Sequence, residues 1–256
     1  MALRLEAAAA SHAGMVREIN EDVYGIFPDE RLYVLADGMG GRAAGEIAAR
    51  IAVDVLERFC REHCASPPET WPFPLDPRFS RAVNLLRVGL KLANRQILEA
   101  AQGNPAWYRM GATIAALAFD EDHLVAAHAG DVRVYRFRDG GMSRLTRDHS
   151  VLEEMKLARP NLPTEELDAL VNRNVITRAL GSRPEVEPTV YVNSFADGDL
   201  YLLASDGVWS TVPDDTLGGI VLGQADLETA CYALIDAANQ AGGPDNATAI
   251  LVRVRR

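Results

Sequence analysis

The chain has 256 residues, 48% of them hydrophobic and 24% charged, and a formal net charge of −10. That length can bury a sizeable core, and the negative charge argues against nucleic acid as the main partner. Cys60, Cys64 and Cys231 offer no disulfide framework and fit a reducing, cytoplasmic setting, the N-terminus shows no signal-peptide core, and the longest apolar run, Ala112 to Phe119, is too short to span a bilayer.

Ser11 to Asp22 is polar. Val23 to Phe27 reads as a strand, Pro28-Asp29-Glu30 as a turn, and Arg31 to Ala36 as the returning arm of a hairpin. Asp37 ends that arm, followed by Gly38, Gly40 and Gly41. Arg42 to Arg61 has the apolar spacing of an amphipathic helix, with Ala44, Ile47, Ala48, Ile51, Val55 and Phe59 on one face. The proline-rich Ser66 to Pro77 reads as a loop, and Phe79 to Ala101 as a second amphipathic helix. Four strands follow, Ala112 to Phe119, Leu124 to Ala129, Val132 to Phe137 and Met142 to Leu145. Asp120-Glu121-Asp122 and Asp139-Gly140-Gly141 are turns between them.

Ser150 to Asn174 is polar and broken by Pro160 and Pro163, which predicts short helices in a mobile flap. Val175 to Ala179, Thr189 to Asn193, Leu200 to Ala204 and Thr248 to Val254 read as strands. Asp214 to Leu222 and Leu227 to Ala238 read as helices. No linker divides the chain, so residues 1–256 are expected to form one domain. Helices segregate from strands without βαβ alternation, which predicts an α+β fold of two stacked antiparallel sheets with helices on both outer faces.

Three carboxylates fall at predicted strand ends. Asp37 and Asp206 each follow an apolar run and precede glycine; Asp245 lies in Gly243-Pro244-Asp245-Asn246 just before the last strand. Asp-Gly is also a common turn dipeptide, and Asp139-Gly140 and Asp197-Gly198 are read that way. Spacing alone leaves the turn reading open for the other two. If Asp37, Asp206 and Asp245 share one concavity, they would repel strongly without cations, and their oxygens suit Mg²⁺ or Mn²⁺. Two such ions can activate water and clamp an in-line displacement at phosphorus. Gly38 and Gly207 are expected where backbone approaches a ligand. Arg17 could grip two phosphate oxygens.

The ordered motifs make the chain resemble the bacterial type 2C metal-dependent protein phosphatases. Arg17-Glu18-Ile19-Asn20-Glu21-Asp22, Asp37-Gly38-Met39-Gly40-Gly41, Gly111-Ala112-Thr113, Gly130-Asp131-Val132-Arg133, Thr177-Arg178-Ala179-Leu180-Gly181, Ser205-Asp206-Gly207 and Gly243-Pro244-Asp245-Asn246 occur in family order, and the likeness spans Ser11 to Val254. The resemblance implies an αββα sandwich with a two-ion Mn²⁺/Mg²⁺ site between the sheets. It implies that Asp37 bridges the ions, that Asp206 and Asp245 complete one position, and that the Gly38 carbonyl joins Asp37 at the other. Asp131, with Asp206, matches a weaker third position. Glu21 and Asp22 would act through bound waters, Asn246 would support those waters, and Arg17 would bind phosphate. The implied reaction is direct attack of metal-bound hydroxide on phosphoserine or phosphothreonine. The implied setting is a monomer in the cytoplasm that opposes a Ser/Thr kinase and acts on its targets.

Three departures stand out. Val132 replaces a usual Ser, Ala112 a usual Ser or Thr, and His12 a frequent Asp. A catalytically silent phosphoprotein binder and a phosphohydrolase of small esters are the competing functions. Outside the motifs, Cys60, His63 and Cys64 supply at most three zinc ligands and read as ordinary helix residues. His128 is expected in the core, His149 on the exposed flap, and Trp209 in packing; Trp71 could cover its loop or meet a partner.

Overall fold

The computed structural model describes residues 3–40, 44–64, 71–162, 166 and 175–256. Gly41 and the start of the predicted first helix, with residues 163–165 and 167–174 of the predicted flap, therefore lie outside the described residues. Among the described residues, ten strands form two antiparallel five-stranded sheets. The first sheet holds β1 (Arg4–His12), β10 (Ala247–Arg255), β9 (Leu200–Ala204), β6 (Arg133–Arg138) and β7 (Gly141–Arg144), in that order. The second holds β2 (Asp22–Phe27), β3 (Leu32–Met39), β4 (Gly111–Phe119), β5 (His123–Ala129) and β8 (Thr189–Ser194). Helices α1 (Ala44–Cys64) and α2 (Arg81–Gly103) cover the second sheet, and α5 (Asp214–Gly223) and α6 (Leu227–Gln240) pack against the first. The short α3 (Val151–Ala158) and α4 (Asp206–Trp209) lie in the connections. The result is the αββα sandwich that the sequence predicted.

The period of two along each strand explains the layers. In β3, Leu32, Val34 and Ala36 face α1 and α2, whereas Tyr33 and Leu35 face the other sheet. In β10, Ala249 and Leu251 pack toward α6, and Ile250, Val252 and Val254 fill the space between the sheets. Both faces of the central strands are thus buried, which is why their sequences read as apolar runs. Between the helices, Gly89 of α2 lets Leu56 of α1 come close, since a Cβ there would lie 2.5 Å from Leu56 Cδ1. Ser80, Ser150 and Asp226 cap α2, α3 and α6 by accepting from Val83, Glu153 and Thr229 N–H.

Two expectations need correction. β1, which pairs with β10 from Arg4↔Arg255 to His12↔Ala247, was not predicted. Its Ala7-Ala8-Ala9-Ala10 run carries no period, because alanine suits either face. Val175 to Ala179 is not a strand; it makes only the isolated bridge Ser150↔Ile176, beside the bridge Ala112↔Leu180. Asp139 and Gly140, with φ of +52° and +75°, form the turn between β6 and β7. Trp71 packs edge-on against Phe59 and covers the α1 core, His63 stacks on Phe59, and Cys60 is buried there; the Cys64 side chain lies outside the described residues.

At the end of the sandwich near β8 and β9, Asp199 accepts from Arg138 at 2.6 and 2.8 Å, from Ala196 N–H and from Tyr201 O–H. Burial alone would raise its pKa, but these bonds hold the carboxyl below the usual range. A depressed folded pKa contributes stability above the unfolded value and loses it as pH falls through the folded one. Asp199→Asn should therefore cost roughly 1–3 kcal/mol at neutral pH, and the gap to wild type should narrow below about pH 4. Urea titrations across pH 2–7 check this, and a gap independent of pH contradicts it. Ile250→Ala, emptying a site between the sheets, should cost about 2–5 kcal/mol in the same titrations at neutral pH.

Candidate active site

One end of the space between the sheets is polar where the rest is apolar. Continuing the alternation of Tyr33 and Leu35 brings Asp37 to that layer near the end of β3. Asp22 stands opposite Asp37 in the ladder, and Thr113 pairs with Asp37 from β4. From the facing sheet, Ser205 follows β9 and Thr248 begins the inward series of β10. Both hydroxyls donate to Asp22 Oδ2, at 2.8 and 2.7 Å. Asp22 is thus a cross-sheet anchor, although its Oδ1 has no partner among the described residues.

Asp37 and Thr113 open onto a cavity of about 320 Å³. Arg17, Glu21, Asp37, Gly38, Thr113, Asp131, Asp206, Asp245 and Asn246 line it, joined by Ile176 from the segment after the predicted flap. Every predicted site residue except Asp22 lines the cavity directly, and Asp22 lies behind it. The carboxyls strain against one another. Burial first, then Asp22, Asp206, Asp131 and Asp245, push the Asp37 pKa well up. Burial and Asp245 raise Asp206 to about 6; burial, Asp206 and Asp148 raise Asp131 to about 7. Asp22 rises to about 7 because burial outweighs its two hydroxyl donors. Arg17 Nη2 donates to Asp245 Oδ2 at 2.8 Å across the mouth.

The donor set fits hard divalent cations: it is all oxygen, anionic and destabilised by its own charge. Among the described residues, no three of these side chains converge on one ion as they stand. The Arg17–Asp245 pair engages one of these carboxylates from the mouth of the cavity.

The expected residues also make contacts that the sequence did not show. The missing side chains of Gly38 and Gly207 make room for neighbouring backbone. A Cβ on Gly38 would lie 2.2 Å from Gly45 O at the start of α1, and one on Gly207 would lie 2.0 Å from Asn246 O. Asn246 is held by backbone at both ends of its amide. Its Oδ1 accepts from Glu21 N–H, and its Nδ2 donates to Ala13 O and Ile19 O, each near 2.9 Å. It ties down the loop that carries Arg17. Glu21 Oε1 accepts from Gly45 N–H at 3.1 Å at the positive end of α1. His149 is buried rather than exposed. Val132 and Ala112 are packing residues, fully enclosed, and His128 is a core residue whose Nε2 donates to Arg147 O. Trp209 packs under the site, and its indole N–H donates to Asp131 O at 3.0 Å. Thr248 and Ser205 were not singled out, although the inward alternation of Ile250, Val252 and Val254 predicts an inward Thr248.

Comparison with known proteins settles the family. The model of the protein phosphatase 2C family matches residues 12–216. The chain belongs to that family. It is 31% identical to the serine/threonine phosphatase stp of Listeria welshimeri, over 93% of this chain and 92% of that one. It is 32% identical to the serine/threonine protein phosphatase PstP of Mycobacterium tuberculosis, over 98% of this chain and 45% of the relative, so it spans less than half of that protein's length. The crystal structure of M. tuberculosis PstP superposes with a TM-score of 0.85 at 31% identity, covering 98% of this chain and 99% of that one. A PstP catalytic domain in complex with two manganese ions superposes at 0.83 and 31% identity, covering 99% and 100%. In this phosphatase 2C chain, the Asn246 tether sets the Arg17 loop. Asn246→Ala should therefore cost roughly 1–3 kcal/mol and speed amide exchange across residues 13–21 above the rest of the chain. Exchange raised uniformly, or not at all, contradicts the tether.

Proposed function

We propose that residues 1–256 form one catalytic domain of a metal-dependent protein serine/threonine phosphatase, hydrolysing phosphoserine and phosphothreonine. The observation that carries this is the convergence of Asp37, Asp206, Asp245, Asp131 and Arg17 on one cavity at the polar end of the sandwich. Asp37, the Gly38 carbonyl, Asp206 and Asp245 would hold two Mn²⁺ or Mg²⁺ ions, and Asp131 with Asp206 a third. When bound, such cations lower the pKa of water and neutralise charge at phosphorus.

The chain's own residues do the rest. Arg17 stands half exposed at the cavity mouth and is already engaged with a carboxylate. A phosphate dianion offers the same planar fork more charge, so it can replace Asp245 as the guanidinium's partner. Asn246 fixes the height of that guanidinium above the floor. Glu21 is held on the α1 terminus, and Asp22, behind the ligands on the Ser205 and Thr248 hydroxyls, ties the two sheets together beneath the cavity. One copy of the chain carries every group involved, so a monomer suffices. Among the described residues no helix is long and apolar enough to cross a membrane. A cytoplasmic enzyme acting on the products of a Ser/Thr kinase fits this reading.

Hydrolysis of a phosphothreonine peptide should require Mn²⁺ or Mg²⁺, stop with EDTA and collapse in Asp37→Asn. Arg17→Ala should raise KM for the peptide about 10-fold or more with a smaller effect on kcat. A nucleotide substrate turned over faster than the peptide would favour the small-ester reading. Folded protein that binds Mn²⁺ yet turns over neither would leave the silent binder.

A further inference from the structure

The turn that delivers Asp131 to the cavity cannot hold itself. Gly130 has φ +115°, and a Cβ there would lie 2.2 Å from Thr113 Cβ, so no side chain fits. Its conformation is imposed from outside. Gly130 N–H donates to His149 Nδ1 at 3.1 Å, and His149 N–H donates back to Gly130 O at 3.0 Å. The same residue's carbonyl accepts from Thr177 N–H at 2.8 Å, beside the cavity-lining Ile176.

A ring of contacts closes around the turn. Asp148, next to His149, accepts from Arg133 at 2.7 Å. The Arg133 guanidinium lies 3.5 Å from the Trp209 ring centre, and Trp209 N–H holds Asp131 O. Asp131 is therefore gripped through Gly130 on one side and through its own carbonyl on the other.

The imidazole is in one state only. Accepting from Gly130 leaves Nδ1 bare, so the single ring proton is on Nε2 and points to Thr189 Oγ1 at 2.8 Å. Arg178 Nη1 stands 3.2 Å from Nε2, and His128 stacks in parallel at 4.4 Å. Burial first, then these two neighbours, push the His149 pKa down to about 3.

We propose that His149 is a positioning residue whose bare Nδ1 fixes the Gly130–Asp131 turn and thereby sets where the Asp131 carboxylate meets a cation. It does not touch the substrate or the reacting atoms. The inference rests on the phosphatase reading only for the identity of the cation.

Two variants separate the ring nitrogens, because an Asn amide oxygen reaches the Nδ1 position and a Gln amide reaches the Nε2 position. Calorimetric Mn²⁺ titration of the full chain, amide exchange at Gly130 and melting of the metal-free protein are the readouts. His149→Asn should keep the Gly130 amide protected and Mn²⁺ affinity within about 3-fold of wild type. His149→Gln should expose that amide and weaken the weakest Mn²⁺ position by about 10- to 100-fold, the range for lost support behind a ligand. A general packing role would lower both melting temperatures together and leave Mn²⁺ affinity alone. That result, or wild-type Gly130 protection and Mn²⁺ affinity in His149→Gln, overturns the proposal. Wild type that takes up Mn²⁺ but hydrolyses no phosphopeptide would sink the phosphatase reading, and the variants would still decide this one. Wild type that takes up no Mn²⁺ would sink the metal reading and the Asp131 claim with it, while Gly130 exchange would still decide the clamp.

Discussion

Glu21, Asp22, Asp37, Asp131, Asp206 and Asp245 are crowded at one end of a sandwich whose remaining interior is apolar. Like charges at this density oppose folding unless protons or cations intervene. The frame that tolerates them is the stacked pair of sheets, each covered by helices, with Tyr33, Leu35, Leu203, Ile250 and Val252 packed immediately behind the acidic end. The same alternation that buries those residues turns Asp37 and Thr248 into the same layer. Core and site are thus successive positions on the same strands, and a slip of one residue in β3 would remove Asp37 from the cavity.

Most of this architecture was legible because fully buried strands and two-faced helices leave long apolar signatures. Asp37, Asp206 and Asp245 stood out because each is a carboxylate at the margin of an apolar strand. What sequence could not show follows from physics that acts at a distance. The alanine run of β1 has no face until β10 supplies one. The missing side chains of Gly38 and Gly207 make room for Gly45 and Asn246 backbone, partners that only the fold brings near. Nothing near Asn246 in sequence shows that its amide closes a loop more than 220 residues away. His149 sits in a polar stretch that reads as surface, and only the arrival of Gly130, Thr189 and Arg178 around its ring buries it.

The supports form two groups with different tasks. Asp22, Ser205 and Thr248 join the two sheets beneath the cavity, so they fix the distance between ligands drawn from different sheets. Asn246, Met15 with Gly243, and Arg17 with Asp245 fasten the N-terminal loop across the mouth. The floor is stiff because it is sheet, and the mouth is held by contacts that a phosphate or a cation can exchange.

The central claim is that this acidic end is built for divalent cations. Calorimetric titration of Mn²⁺ into the metal-free protein, beside Asp37→Asn, tests it most directly. Uptake of at least two ions by wild type, with loss of both high-affinity positions in a variant that melts no lower than wild type, is the predicted result. No uptake by folded wild type, or undiminished uptake by Asp37→Asn, would contradict it.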